Sequence, residues 1–405
     1  MAIIIMAWRN IWRNKTRSLI IMGSVAFGLV AGLFVLSLYK GVLQDRVTSV
    51  IHTEVGHLQL HHPSFKEDYD PKFVIDDREK ILEELGKADK VSAFATRTVS
   101  QGMLATGTGS SGVQIVGVNP ASENPVSQLD SKIVEGEGLA GTKSNPVLIG
   151  RKLADKMNLK LNSKLVLTTM DRGSNIVSSA FRVAGIYQTD NAPRDERMVF
   201  VRQDDISGLL SLGDDFHEVA IILKENADVD AAKAELNRKF PALQVETWEE
   251  ISAETKLMID TTDQYSYIFI TIIMFALSFG IVNSMLMAVL ERSHEIGMLL
   301  ALGMNRIRVF SMILTETIFL TLSGTPLGIL ISWLIVLFYG NHGLDISTLG
   351  GEAMTSFGFS TVLYPEFPWE KIAREMAIVI GVALMSALLP ALKAIRLQPV
   401  EALQK

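Results

Sequence analysis

The sequence predicts an α-helical membrane protein with four transmembrane helices and a large α+β extracytoplasmic domain inserted between the first and second helices. The 405 residues are 48% hydrophobic but also 20% charged, so the chain must contain segments for lipid and segments for water. Four apolar stretches are long enough to cross a hydrocarbon core of about 30 Å. The long stretch 40–265 between two of them is largely polar.

The apolar stretches define the domain order. They are Ser18–Tyr39, Ser266–Leu290, Val309–Tyr339 and Met376–Ile395. We therefore predict transmembrane helices at 18–40, 263–290, 309–339 and 372–395. The predicted segments around them are a cytoplasmic start at 1–17, an outer domain at 41–262, a cytoplasmic segment at 291–308, a short outer loop at 340–371 and a cytoplasmic tail at 396–405.

Basic residues orient these helices, because lysine and arginine in short flanking segments stay in the cytoplasm. They cluster before the first helix, between the second and third, and at the C-terminus, whereas the loop Gly340–Glu370 has none. This pattern predicts cytoplasmic termini and an outer domain in the periplasm, in a bacterial inner membrane. A cleaved signal peptide is the alternative for the N-terminus, but its apolar core would be shorter than the one here.

The segment before the first transmembrane helix has an amphipathic pattern. Ile4, Trp8, Ile11 and Trp12 fall at helical spacing, and tryptophan prefers the membrane interface. We predict an interfacial helix, with a simple extension of the first transmembrane helix as the alternative.

The outer domain has strand and helix patterns in alternation. Valine- and isoleucine-rich runs predict strands, and several predicted helices open with an aspartate that could cap the first turn. The predicted strands are His57–Leu60, Val113–Val118, Leu165–Thr169, Phe181–Tyr187, Met198–Val201 and Val219–Leu223. The predicted helices are Asp76–Leu85, Gly150–Leu159, Asp204–Leu210 and Asp228–Phe240.

Several motifs that suggest a cofactor, metal or catalytic site fail on inspection. Gly107–Gly112 matches a dinucleotide-binding pattern, but a strand follows it, so we interpret it as a hairpin loop. The histidines at 52, 57, 61 and 62 lack a matching acidic pair, and we predict surface side chains rather than a metal site. No cysteine, catalytic constellation or basic face for nucleic acid is present. We expect no metal, no cofactor and no catalytic residue in this chain.

No sequence G-x-x-x-x-G-K-[ST] occurs, so the chain has no P-loop of its own. Any ATP and Mg²⁺ would be bound by a partner. The segment Glu291–Gly303 (ERSHEIGMLLALG) is where such a partner could bind, since it is charged and helix-forming where a plain loop would suffice. Its charged residues precede apolar residues at helical spacing, which predicts a helix on the membrane surface held by another protein.

Two features inside the apolar stretches predict helix packing and a polar role. Gly28 with Gly32, and Gly324 with Gly328, form G-x-x-x-G pairs that let helix backbones approach closely. Glu316 lies within the third stretch, where a carboxylate is costly. Either it has a functional role, or it is internally bonded or snorkels toward the interface.

Two long motifs now identify a family. NSMLMAVLERSHEIGMLLALGMNRIR at Asn283–Arg308 and LLPALKAIRLQPVEAL at Leu388–Leu403 strongly resemble permeases of the FtsX-like, MacB-type superfamily, the membrane subunits of mechanotransmitting (type VII) ABC transporters. The outer domain is most similar to that of the lipoprotein-releasing (LolC/LolE) permeases. That similarity lies in VLSLYKGVLQD, GHLQLHHP, VGVNP, VEGEGL, PVLIGRKLADKMNLKLNSKLVL and FRVAGIYQT.

The resemblance implies a MacB-like periplasmic core domain with a porter-like part and an inserted second part. It implies a homo- or heterodimer of permeases over two ABC ATPase subunits, with a lipoprotein as cargo, a possible periplasmic chaperone and contact with membrane lipids. It also implies a coupling helix seated in an ATPase groove. The residues that it assigns to that helix are Glu291, Arg292, Glu295, Gly297, Met298, Ala301 and Gly303.

Residues near the outer ends of the first two transmembrane helices are candidate contacts for lipoprotein acyl chains, or else ordinary lipid-facing and packing residues. They are Leu33, Leu36, Tyr39, Val42, Tyr265, Ile268 and Phe269. Two alternatives remain for the function: a MacB-like exporter working with a periplasmic adaptor and an outer-membrane duct, or an FtsX-like signalling permease that transports nothing.

Overall fold

A computed structural model describes residues 8–9, 11–13, 15–107, 109–141 and 144–396. The chain divides into two compact units. A helical unit comprises 1–43, 259–344 and 362–405, and an α+β unit comprises 44–258 and 345–361. Parts of the predicted interfacial helix, including Ile4, and the tail from 397 onward lie outside the described residues.

The helices in chain order are α1 (Lys15–Ser49), α2 (Phe65–Asp68), α3 (Arg78–Lys87), α4 (Pro120–Ser127), α5 (Arg151–Met157), α6 (Ala192–Arg197), α7 (Gln203–Leu209), α8 (Val229–Lys239), α9 (Trp248–Ile251), α10 (Ala253–Glu291), α11 (Ser293–Ala301), α12 (Arg306–His342), α13 (Ser347–Ser356) and α14 (Ile372–Ile395). The strands are β1 (Leu58–His61), β2 (Val91–Ala105), β3 (Ser110–Val118), β4 (Ile133–Gly136), β5 (Pro146–Gly150), β6 (Lys164–Met170), β7 (Ile176–Tyr187), β8 (Met198–Arg202), β9 (Glu218–Leu223), β10 (Gln244–Thr247), β11 (Leu344–Asp345) and β12 (Val362–Leu363).

Four helical segments of the described chain are long and apolar enough to cross a membrane: Ser18–Val55, Ala253–Glu291, Arg306–His342 and Trp369–Ile395. A large α+β domain lies between the first and second of them, as the sequence predicts. The first segment combines α1 with a π-helical turn, Val50–Val55. Long apolar runs form helices here because lipid cannot satisfy free backbone groups, so each segment must satisfy its own.

Close packing in the helical unit depends on glycine. A Cβ atom at Gly324 would lie 2.7 Å from the carbonyl oxygen of Met22, and one at Gly328 would lie 2.9 Å from the Cβ of Leu29. A Cβ at Gly28 would lie 2.9 Å from Leu277. The predicted close approach of helix backbones is confirmed at Gly324 and Gly328, where α12 lies directly against the backbone of α1. At Gly28 and Gly32 the nearest atoms belong to side chains, and for Gly32 the nearest, in Met274, is 3.9 Å away.

The α+β unit is built on a ten-stranded mixed sheet with the strand order β10-β1-β9-β2-β3-β8-β5-β7-β4, and β6 pairs with β2 and β7. Most pairs are antiparallel, while β3–β8 and β5–β7 are parallel. The antiparallel pairing of Ala105 with Ser110 confirms a hairpin, but its loop is shorter than the predicted Gly107–Gly112, because Ser110–Gly112 already belong to β3. The six predicted strands and four predicted helices are all present, with small differences at their ends.

Separate hydrophobic cores form along this sheet. One packs α3 and α8 against β1, β9 and β10, around Leu58, Ile221 and Leu236. Another packs α5 and α7 against the strands from β3 to β8, around Leu153 and Ile206. The sheet runs through both cores, so strand pairing joins them.

Two predictions about polar side chains are wrong. His57 and His61 are buried rather than on the surface, because β1 lies inside the sheet and both rings have partners there. The Nδ1 of His57 accepts a hydrogen bond from the backbone of Leu223 at 3.1 Å, and the Nε2 of His61 lies 2.9 Å from Glu246. Among the described residues no group of three or more histidines and acids could hold a metal ion.

The predicted aspartate caps are also wrong. Asp76 and Asp204 do not stand at the N-cap positions of α3 and α7, which are Asp77 and Arg202. Asp228 stands at the N-cap of α8, but its side chain makes no capping hydrogen bond and accepts from Lys90 at 2.9 Å instead. Asparagine and threonine cap other helices in their place. These residues are Asn119, Asn191, Thr247 and Asn305.

Candidate functional site

The connecting segment, Glu291–Arg308, links two of the membrane-length helices through a short helix of its own. Arg292 has non-helical backbone angles and separates α10 from α11. At the other end, Gly303 adopts φ of +89°, and the backbone N–H of Met304 donates to the carbonyl of Leu299 at 3.0 Å. This left-handed closure favours glycine because it has no Cβ to clash. Asn305 then caps α12.

Two ion pairs fix the orientation of α11. The guanidinium of Arg13 donates to both carboxylate oxygens of Glu295, with both side chains about half exposed. This hydrogen bond raises the pKa of Arg13. On the other side, Arg292 Nη1 lies 3.1 Å from both carboxylate oxygens of Glu316, and the Glu316 side chain is almost fully buried. Glu316 is therefore internally bonded, which is one of the two alternatives drawn from the sequence.

A cavity of about 370 Å³ lies between these ion pairs. It is lined by Arg13, Glu295, Arg292 and Glu316 and by apolar side chains such as Met298 and Met312. Each ion pair joins α11 or its N-cap to a different part of the helical unit, Arg13 before α1 and Glu316 on α12.

The connecting segment also presents an exposed apolar surface. Leu302 is 79% exposed, Ile307 71% and Met298 44%, whereas Ile296 and Gly297 are buried. Glu291, Ala301 and Gly303 are exposed as well. Apolar side chains that are left exposed next to charged ones are typical of a surface that a partner covers.

The candidate acyl-contact residues fall into two groups. Leu33 and Leu36 are buried in the core of the helical unit, where they pack between helices. Tyr265, Ile268 and Phe269 are exposed on α10, and Tyr39 packs against Phe269 with ring centroids 5.9 Å apart. Val42 is half-buried. Among the candidate residues, the α10 group together with Tyr39 is therefore the surface available to a ligand.

Sequence reasoning missed the ion-pair partners of the connecting segment. Arg13 was one of the basic residues before the first helix that served only to orient the chain, and Arg292 was not matched with Glu316. The lone carboxylate in an apolar stretch was the available signal, because a buried acid needs a cation and Arg292 stands at the end of the preceding helix.

Two known protein families match parts of the chain. The MacB-like periplasmic core domain matches residues 18–239, and the FtsX-like permease C-terminal domain matches residues 267–399. The second match contains the complete connecting segment together with Glu316.

Several curated relatives are similar. The lipoprotein-releasing system transmembrane protein LolC of Neisseria meningitidis serogroup B is 24% identical over 97% of this chain and 95% of that protein. LolE of Haemophilus influenzae is 22% identical over 93% of this chain and 90% of its own length. The macrolide export ATP-binding/permease protein MacB of Sodalis glossinidius is 27% identical over 46% of this chain and 27% of that protein.

Proposed function

Because this chain belongs to the family of ABC transporter permeases with a MacB-like periplasmic core domain, we propose that it extracts lipoproteins from the inner membrane for transfer toward the outer membrane. In this proposal two partner ATPase subunits bind ATP and Mg²⁺, and a second permease subunit completes the transporter. The termini are cytoplasmic, the α+β unit is periplasmic, and a periplasmic chaperone receives the cargo.

Full-length similarity is the observation that carries the choice of cargo. The lipoprotein-releasing relatives align along nearly the complete chain, including both units, whereas the macrolide exporter aligns over less than half of it. An exporter that works with an adaptor and a duct is therefore the second candidate. A signalling permease that transports nothing is the third.

The physical task explains why ATP is needed. A lipid anchor resists leaving the bilayer by about 0.8 kcal/mol per buried CH₂, so each long acyl chain opposes release by on the order of 10 kcal/mol. Spontaneous release at that cost is negligible. ATP-driven closure of the ATPase pair supplies the missing work by moving α11, and the helices on both sides of it transmit the displacement to the periplasmic domain.

The exposed apolar surface of the connecting segment suits the ATPase groove. Met298 and Leu302 supply apolar anchors, while Glu291 adds a charge at the edge. The pairs Arg13–Glu295 and Arg292–Glu316 hold α11 at a fixed angle. In the membrane, Tyr265, Ile268 and Phe269 offer an exposed apolar and aromatic surface for acyl chains.

The test is reconstitution of the permease with its co-purifying ATPase and second permease in liposomes that contain a triacylated lipoprotein. ATP-dependent release to a soluble acceptor protein is measured for the wild type, for Met298→Glu with Leu302→Glu, and for the control Met103→Glu. Met103 is similarly exposed but lies on β2. We expect the double variant to lose at least about tenfold in release, because central apolar anchors dominate an interface, and the control to match the wild type.

Two outcomes would contradict the proposal. In the first, the ATPase assembles with the wild-type permease and hydrolyses ATP, but the lipoprotein stays in the membrane. The proposed lipoprotein cargo is then wrong, and the adaptor-linked exporter is favoured. If release survives in the double variant, α11 is not the site of ATPase coupling.

A further inference from the structure

The α+β unit contains a cavity of about 340 Å³ that the proposed function does not use. Five separate parts of this unit line it: the end of α1 at Arg46, β3 at Gln114, the helix α6 with its N-cap Asn191, the start of α10 at Glu254 and Met258, and the end of α13 with Phe357. Its volume falls within the ~300–1,000 Å³ of small-molecule sites.

Positive charge is concentrated in this cavity. Arg46, Arg194 and Arg197 line it, and Glu254 is the acidic side chain among the lining residues. Arg46 is already neutralised, since its Nη1 lies 2.8 Å from Glu54, which also accepts from Asn191 at 2.9 Å. The cavity therefore keeps a positive charge in excess.

The two arginines of α6 differ from Arg46 in how they are held. Arg194 reaches the backbone carbonyl of Glu54 at a long 3.5 Å and lies over the ring of Phe200, 5.9 Å from its centroid. Arg197 is exposed, and its side chain has no hydrogen bond or ion pair to any other residue that the structure describes. Arg194 also lies near the Glu54 carboxylate, and their charges attract. Both guanidinium groups line the cavity, and the planar guanidinium fork matches the oxygens of a phosphate.

A neighbouring cavity differs from this one in how its cationic side chains are paired. It shares Arg194 and Asn191 with the first, but its other cations have acidic partners. Arg97 lies between Glu123 and Glu218, and Lys66 bonds to Glu246 at 2.7 Å. That cavity therefore has no cationic surplus, in contrast to the arginine-lined cavity.

Apolar side chains line the same cavity and specify the rest of the ligand. Met198, Met258 and Phe357 lie among the arginines. Two lining residues are also close in sequence to the helical unit. The helical unit ends at Leu43, shortly before Arg46, and starts again at Ile259, directly after Met258. A free phosphate would use the arginines alone, whereas a lipid would use the apolar side chains as well.

We propose that this cavity binds the phosphate group of an anionic membrane lipid, with Arg194 and Arg197 contacting the phosphate and the apolar lining contacting the glycerol and upper acyl carbons. A ligand there contacts α6, α10 and α13 together and so stabilises their packing in the α+β unit. This inference does not depend on the cargo, because it concerns a resident lipid rather than a transported one.

The test uses the full chain, delipidated in detergent, and native mass spectrometry of bound short-chain phosphatidylglycerol. Matched titrations use short-chain phosphatidylcholine and inorganic phosphate. We expect phosphatidylglycerol to bind, and Arg197→Gln and Arg194→Gln each to weaken it about tenfold, the loss typical of one charge-assisted contact. Glu254→Gln removes the opposing charge and should tighten binding.

The control is Arg238→Gln, which makes the same charge change on α8, where the arginine side chain donates to the backbone carbonyl of Ala234. Arg197 is exposed, so its replacement leaves folding intact. Equal weakening by Arg238→Gln and Arg197→Gln would overturn the site. Equal binding of phosphatidylglycerol and phosphatidylcholine would overturn recognition of the anion. Competition by inorganic phosphate at the same concentration as phosphatidylglycerol would overturn the lipid as ligand.

Discussion

Arg97 is the side chain on which the polar interior of the α+β unit depends. Its guanidinium donates to both oxygens of Glu123, at 2.7 and 3.0 Å, and lies 3.5 Å from Glu218. Glu123 is fully buried. Replacing Arg97 with methionine leaves that carboxylate buried without its cation, so we expect a loss of roughly 3–5 kcal/mol in the free energy of unfolding.

Trp248 is the only tryptophan in the sequence of this unit, so its fluorescence reports denaturant unfolding once the other four tryptophans are changed to phenylalanine. Arg172→Met is the control, because Arg172 and Asp215 form an exposed pair that contributes at most about 1 kcal/mol. Adding Glu123→Leu to Arg97→Met should recover much of the loss. A similar cost for Arg97→Met and Arg172→Met would contradict this account.

His217 makes the stability of the same unit depend on pH. It accepts a hydrogen bond at Nδ1 from the backbone of Val99, at 3.0 Å, and its Nε2 donates to the carbonyl of Pro71 at 3.2 Å. Both bonds suit the neutral ring. Burial lowers the pKa of His217 to about 4, against about 6.5 in an unfolded chain.

Between these two pKa values, His217 is therefore protonated in the unfolded state and neutral in the folded state. The contribution of His217 to the free energy of unfolding is fully present above about pH 6.5. It falls as the pH drops toward 4, by at most about 3 kcal/mol. Burial raises the pKa of Asp195 to about 6, which acts in the opposite direction over part of this range. Comparing the wild type with His217→Gln at each pH removes the Asp195 contribution.

We expect the stability difference between the two proteins to shrink as the pH falls from 7 to 4.5. His62→Gln is the control, since His62 is half-buried and stacks on Phe73. A difference that stays constant over this pH range would show that His217 does not titrate as its burial requires.

Helix packing in the helical unit depends on the glycines of α12. A side chain at Gly324 meets the backbone of Met22, which cannot move away as a flexible side chain could. Gly324→Leu should therefore separate α12 from α1 and cost about 1–3 kcal/mol, the usual price of overpacking. Thermal unfolding of the full chain in detergent measures this loss.

Gly280→Leu and Gly381→Leu are matched controls, because a Cβ at either position meets nothing within 4 Å. Both should unfold near the wild-type temperature. If Gly280→Leu and Gly324→Leu lower that temperature equally, the added leucine acts through the micelle rather than through contact with α1.

These elements also show what the sequence could and could not predict. The membrane-length helices and the glycine pairs are local signals, since an apolar run or a four-residue spacing carries its own physical requirement. β2 escaped prediction because Val91–Ala105 mixes small, polar and apolar residues without strict alternation. Its strand conformation comes from pairing with β3, its hairpin neighbour, and with β6 and β9, which are distant in sequence.

The side-chain partners in the candidate site could not be predicted from the sequence either. Arg13 and Glu295 are far apart in the chain, so their ion pair depends on how the helices pack. The burial of His57 and His61 follows from the position of β1 inside the sheet, which no pattern within GHLQLHHP indicates. In both cases the missing information was tertiary, whereas the residue types themselves were already conspicuous.

The strap, Asp345–Thr361, shows how the complete chain is organised. It belongs to the α+β unit, although Leu344 before it and Val362 after it belong to the helical unit. A backbone hydrogen bond from Ile346 to Thr361 at 2.9 Å closes its base, and α13 within it contacts α6. The α+β unit is therefore attached to the chain of the helical unit on both sides of the strap as well as through α1 and α10.

We predict that the strap stabilises α6. Replacing Ser347–Ser356 with a glycine-serine linker of equal length should speed amide hydrogen exchange in Ala192–Arg197 of the full chain by about tenfold or more, because α6 loses a packing partner. Exchange in β6, whose partners are β2 and β7, should stay unchanged. Mass spectrometry of peptic peptides resolves the two regions.

A second replacement separates the strap from a general loosening of the unit. The turn Asp171–Asn175 joins β6 to β7 and is exposed, so a glycine-serine turn there should speed exchange locally and leave α6 as it is. If the strap replacement leaves exchange in α6 unaltered, α13 only lies beside it. If exchange rises equally in α6 and β6, the strap stabilises the complete sheet rather than α6 in particular.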